Sequence, residues 1–126
     1  MGLAALVRVV ANPRRMVVEG TSMVPELAPG DRLIVVRPRA IVTGDLVAVR
    51  DPLVRGRLLV KRVVSACPEG IDVRGDNEGA SRDSREFGLV PASSVAGRVV
   101  HRYFPVDRAG RLRRAALRSD VRQYDS

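Results

Sequence analysis

The chain has no tryptophan, two phenylalanines, two tyrosines, one histidine, one cysteine and one lysine in 126 residues. Each scarcity removes something. One cysteine excludes an intramolecular disulfide and, with only one histidine beside it, a Cys/His zinc site of the usual kind, so neither a metal nor a cofactor is expected. Aromatic residues make up 3% of the sequence, so Val, Leu, Ile and Ala must fill the core. No apolar run reaches the roughly 20 residues of a spanning helix. The opening stretch MGLAALVRVVANPRR is broken by Arg8, and its charges follow the apolar run where a signal peptide has them in front. Leu3, Leu6, Val7 and Val10 fall on one helical face, which predicts a short amphipathic helix packed on the domain or resting on a membrane.

The composition is 45% hydrophobic and 29% charged, which suits one soluble globular domain with a core of its own. A net charge of +8 raises nucleic acid, an anionic membrane surface or an acidic substrate as partners. The arginines are scattered, however, and their densest group, Arg108 to Arg122, faces three aspartates. This distribution reads as a solvated face or a membrane-touching fringe, and no nucleic-acid partner is expected. The low cysteine content points to a cytoplasmic protein, with peripheral membrane contact through the N-terminal helix or the basic tail as the alternative.

Past Pro13, short valine-rich runs alternate with Gly, Pro and Asp, the punctuation of a mainly β domain. PGDRLIVVRP (29–38) and TGDLVAVRDP (43–52) repeat one plan of Gly-Asp turn, apolar strand, arginine and proline. Further strands are predicted at 15–19, 57–65, 71–74 and 96–103. The reading divides the chain into an N-terminal amphipathic segment (1–14), a β domain (15–106) and a basic C-terminal tail (107–126), the last a helix or a frayed end.

Of 22 basic residues only Lys61, in LLVKRVV, is a lysine; the others are arginine. If charge alone were needed there, arginine would serve, but arginine keeps its proton at any biological pH and a desolvated lysine can give it up. Leu59 and Val63 share the strand face of Lys61, so burial among aliphatic side chains would lower its pKa toward neutrality and make it a general base. Arg62, next in sequence, would add a like charge. The best nucleophile is Ser22, in VEGTSMVPELAPGD, where a turn stiffened by Pro25 and Pro29 would hold the hydroxyl in place before substrate arrives. His101 has no hydrolase nucleophile motif to join in a triad, and Cys67 reads as a buried filler. Asp76 and Asn77 read as turn formers.

GTSMVPELAPGD resembles the nucleophile box of the signal peptidase I family of Ser/Lys proteases, VKRVV its general-base box and GDNEGASRDSREFGLVP its third box, with TGDLVAV matching the strand between the first two. The four occur in the family's order. The resemblance implies a signal-peptidase-like β fold, Ser22 as nucleophile and Lys61 as base. It implies that the Ser81 hydroxyl orients the lysine, and that Asp83 and Arg85 form an ion pair holding their loop near the dyad. It implies the Ser22 backbone N–H as an oxyanion donor and Met23 as a substrate-binding residue. Some members carry a hydroxyl two residues before the nucleophile as second donor; Gly20 stands there, so Thr21, another backbone N–H or water would substitute.

Only 13 residues separate Lys61 from Gly75, where larger members carry an inserted subdomain. The short form is most similar to the nickel-type superoxide dismutase maturation proteases, which implies removal of an N-terminal propeptide from a precursor protein. Three alternatives stand beside it: a reduced signal peptidase acting on exported proteins, a self-cleaving repressor-like protease, and a non-catalytic basic nucleic-acid-binding module.

Overall fold

Two turns of the same chemistry launch two of the central strands. In Ala28-Pro29-Gly30-Asp31 and Val42-Thr43-Gly44-Asp45 the aspartate N–H donates to the carbonyl three residues back, at 3.0 and 3.1 Å. Its carboxylate in turn accepts that residue's N–H, at 2.9 and 3.0 Å. The third position has φ of 92° and 95°, which glycine adopts without strain. The repeat seen in the sequence is thus one hydrogen-bonded device used twice, and β2 (Arg32–Val36) and β3 (Leu46–Arg50) start directly after it.

The computed structural model describes residues 14–37, 39–77, 79 and 83–112. The amphipathic helix expected in segment 1–14 and the helix or frayed end expected beyond residue 112 lie outside these residues. The remaining strands are β1 (Arg14–Val17), β4 (Leu58–Cys67), β5 (Gly70–Arg74), β6 (Val95–Phe104) and β7 (Gly110–Arg111). The one α-helical turn among the described residues, α1, is Ser84–Phe87. The strands form one antiparallel sheet in the order β1-β2-β6-β3-β4-β5, with β7 on β6. The protein is mainly β, as the valine-rich punctuation predicts.

β3 lies deep in this order and is buried on both faces, with four of its five residues out of solvent. Leu46 and Ala48 point into a cluster with Val18, Met23, Leu27, Leu33, Val35, Val60 and Val99. Val47 and Val49 point into a second cluster with Val63, Ile71, Val73, Val90 and Val95. No aromatic residue is among the fully buried side chains of the described residues; Val, Leu, Met and Ala fill the first layer, and β-branched Val and Ile the second. Each such burial contributes roughly 1.5–3 kcal/mol.

β6 approaches β2 so closely at Gly97 that a Cβ there would run into Val35 Cγ1 and sit 2.9 Å from the Val36 carbonyl oxygen. One of these is backbone in a paired strand and cannot give way. Gly97→Ala is therefore expected to destabilise the fold by about 2 kcal/mol, read as a lower denaturation midpoint at unchanged m-value. An unchanged midpoint would show that β2 can move aside.

Cys67 is exposed, contrary to the expectation of a buried filler. β3 pairs with β4 only over Leu58–Arg62, and Cys67 sits beyond that cover, at the hairpin end opposite Gly70. Its thiol donates to the Gly70 carbonyl.

Candidate active site

Ser22 lies in the loop between β1 and β2, and the core pins that loop on both sides of it. Val18, Met23 and Leu27 all enter the same cluster. Within the loop Val24 N–H donates to the Thr21 carbonyl at 3.2 Å and Leu27 N–H to the Met23 carbonyl at 2.9 Å. Behind it stands Asp31, only 1% exposed. Its carboxylate accepts Arg102 Nη1 at 3.1 Å and is paired with Arg108 Nη2, while Arg102 also donates to the Glu26 carbonyl at 2.9 Å. Two arginines from the β6 end of the sheet thus hold the far end of the loop that carries Ser22.

Ser22 opens onto a cleft of about 260 Å³ whose other wall is the start of β4. Residues 16–19 and Ser22 with Met23 line one side, and residues 57–60 the other. β1 and β4 are separated in the sheet by β2, β6 and β3, so the sheet curls to bring them to one cleft. Met23 is both a core residue and part of the cleft lining.

Lys61 follows Val60 of the cleft wall and is 2% exposed. Its register partner is Val47, and with Leu59 and Val63 it stands on the aliphatic face of the second cluster. The burial expected from the strand alternation is found. Strand alternation turns Arg62 to the opposite face of β4. There Arg62 pairs with Asp76 through Nη2 at 2.9 Å and Nε at 3.3 Å, donates to the Gly44 carbonyl at 3.1 Å and lies 3.8 Å from Glu26.

The strand that carries Lys61 and the loop that carries Ser22 are tied together through residues 75–77. Asp76 is held by Arg62, and the next residue, Asn77, donates its backbone N–H to the Ser22 carbonyl at 2.8 Å and Nδ2 to the Thr21 carbonyl at 3.0 Å. Gly75 in turn donates to Asp83 at 2.9 Å. Asp83 is 1% exposed and caps α1 by accepting Arg85 N–H at 3.1 Å, while Arg85 Nε and Nη2 reach its two oxygens at 3.0 and 2.5 Å. Ser84 Oγ accepts Val73 N–H at 2.9 Å and fastens α1 to β5. The expected Asp83–Arg85 pair is therefore present, and Asp83 is a buried organiser of the turn that touches Ser22, not a surface partner. Ser81 lies outside the described residues.

Asn77 is the residue that reading the sequence missed. Its residue type suggests only a turn former, because its two acceptors are main-chain carbonyls far away in the chain, which leave no mark on local sequence. Among the described residues no group of three or more His, Cys, Asp or Glu side chains could hold a metal.

The family model for signal peptidase, peptidase S26, matches residues 1–77 and 71–104. The chain belongs to this family. The peptidase is 31% identical over 120 residues to the mitochondrial ATP-independent inner membrane protease subunit 1b of Arabidopsis thaliana, covering 74% of this chain and 71% of that protein. It is 30% identical over 130 residues to the mitochondrial inner membrane protease subunit 2 of Schizosaccharomyces pombe, covering 82% and 72%. It is 27% identical over 161 residues to the probable signal peptidase I-1 of Synechocystis, covering 87% and 80%. The peptidase is a serine endopeptidase. Among its described residues no helix is long and apolar enough to cross a membrane.

Proposed function

We propose that the peptidase cleaves a short N-terminal segment from a precursor protein, with Ser22 as nucleophile and Lys61 as general base. The observation that supports this is the shared cleft. Ser22 lines it together with the strand segment that leads into the chain's only lysine, and that lysine is out of water. A lysine in an aliphatic layer loses the solvation that favours its charged form, and as a neutral amine it can take the serine proton. Ser22 Oγ then attacks the scissile carbonyl, and the proton taken by Lys61 passes to the leaving amine. Water, deprotonated by the same lysine, releases the acyl group. The Ser22 N–H is the oxyanion donor, and Ser81 orients the lysine.

The cleft suits an extended peptide. Among the described residues β1 pairs only with β2, and Leu58–Val60 of β4 pair only with β3. The strand edges that face the cleft leave room for main-chain hydrogen bonds to a substrate strand. Met16, Val18, Met23, Leu58 and Val60 give it apolar walls, with Glu19 and Arg57 beside them.

For the substrate, the resemblance of the short form to the nickel-type superoxide dismutase maturation proteases supports a nickel superoxide dismutase precursor, and the single cysteine supports action in the cytoplasm. The names of the relatives support a second reading, removal of leader peptides from exported or membrane proteins at a membrane surface. Incubating the full chain with each precursor class and sequencing the new N-termini distinguishes them. The first reading expects cleavage of the dismutase precursor and none of the leader-bearing one. The reverse result would overturn the substrate while leaving the dyad standing.

A further inference from the structure

Asn77 makes two hydrogen bonds, one to each peptide group that flanks Ser22. We infer that Asn77 is a positioning residue, which aims the Ser22 hydroxyl and backbone N–H by locking both of these peptide groups. The inference rests on Ser22 being the nucleophile.

The Thr21 carbonyl and the Ser22 N–H belong to one rigid peptide unit, and the Ser22 carbonyl belongs to the next. Each unit is planar, and the two meet at the Ser22 Cα, so fixing both planes fixes φ and ψ of the nucleophile. With the backbone set, the Cα–Cβ bond has one direction and Oγ has only its rotamers left. The peptide bond preceding Ser22 is trans, so the Ser22 N–H points opposite to the Thr21 carbonyl and away from Asn77. That unit is thus gripped on one side and offers its donor on the other, as an oxyanion donor must.

The loop's own contribution to this grip is weaker. Within the loop the Thr21 carbonyl receives only the longer bond from Val24, at 3.2 Å, and the Asn77 amide occupies its second lone pair at 3.0 Å. Asn77 is itself held from the two residues that precede it, since Asp76 is paired with Arg62 and Gly75 donates to buried Asp83. Its amide is therefore fixed to the strand that bears Lys61. Through it, the nucleophile's orientation is referred to the strand of the base.

The test is steady-state cleavage by the full chain of a fluorogenic peptide spanning a site that the wild type cuts. Asn77→Ala keeps the backbone bond and removes the side-chain donor. It is expected to lower kcat about 30-fold, with KM within about twofold and a melting temperature within about 2 °C of wild type. Asn77→Asp has the same shape but sets an acceptor against the Thr21 carbonyl, and is expected to lower kcat by about 100-fold or more. Unchanged kcat in Asn77→Ala, a change confined to KM, or a kcat loss that tracks a fall in melting temperature would each overturn the positioning role. Ser22→Ala separates the two levels. If it is inactive while Asn77→Ala cleaves normally, only the role of Asn77 fails; if Ser22→Ala still cleaves, the nucleophile assignment fails and the positioning role with it.

Discussion

Replacing Lys61 by arginine is expected to abolish cleavage, with a loss on the order of 10³-fold or more, while the positive charge stays in place. The prediction follows from what the position needs. If residue 61 served only to balance charge or to snorkel, arginine would do as well, as it does at every other basic position of the chain. A base has to release its proton, and a guanidinium does not. Because arginine is larger and the site is 2% exposed, Lys61→Met belongs beside it as a variant of similar length that carries no base. Both variants are expected to be inactive, with Lys61→Met keeping a melting temperature near that of wild type. Wild-type cleavage is expected to rise with pH along its acid limb, since the amine must be unprotonated to act. Activity in Lys61→Arg within tenfold of wild type would remove Lys61 from the mechanism.

The largest stability effect is expected at Asp31. Its carboxylate is buried, accepts the Ala28 N–H, and joins Arg102 and Arg108 behind the loop that carries Ser22. Asp31→Ala leaves the largely buried Arg102 guanidinium without its anion and the Ala28 N–H without its acceptor. Breaking such a pair from one side costs about 3 kcal/mol, here nearer the low end of the usual range because Arg108 is partly in water. For a domain of this size that is about 10 °C in melting temperature. Asp31→Asn retains an oxygen for Ala28 and is expected to lose about half as much. The measurement is thermal denaturation of the three proteins in one buffer. A fall of less than 2 °C in Asp31→Ala would mean that the network orders the loop without stabilising the fold.

The strands were legible because their apolar runs are short and bounded by turn chemistry. LIVV and LVAV follow Gly-Asp turns whose hydrogen bonds are local, so the residues that make them are adjacent in the sequence. Lys61 was legible for the same reason, since strand alternation alone puts it on the face of Leu59 and Val63. What sequence could not supply were the long-range partners. The engagement of Arg62 by Asp76 depends on how far β5 runs beside β4, and the grip of Asn77 on Ser22 depends on two loops meeting across the curled sheet. Cys67 was misread because local pattern gives no measure of where a neighbouring strand ends.

β1 has a further consequence for how copies of this protein behave together. A strand edge that can take up a peptide can equally take up the same edge of another copy, and unsatisfied edges are the usual seeds of aggregation. β1 is only four residues long and begins with Arg14 and Arg15, both exposed. Two such edges brought together in parallel register would set like charges against each other over a ladder of four residues, whereas a neutral peptide meets no such opposition. The pair of arginines thus works against in-register parallel pairing of this edge with its own copy, where each charge would meet its like.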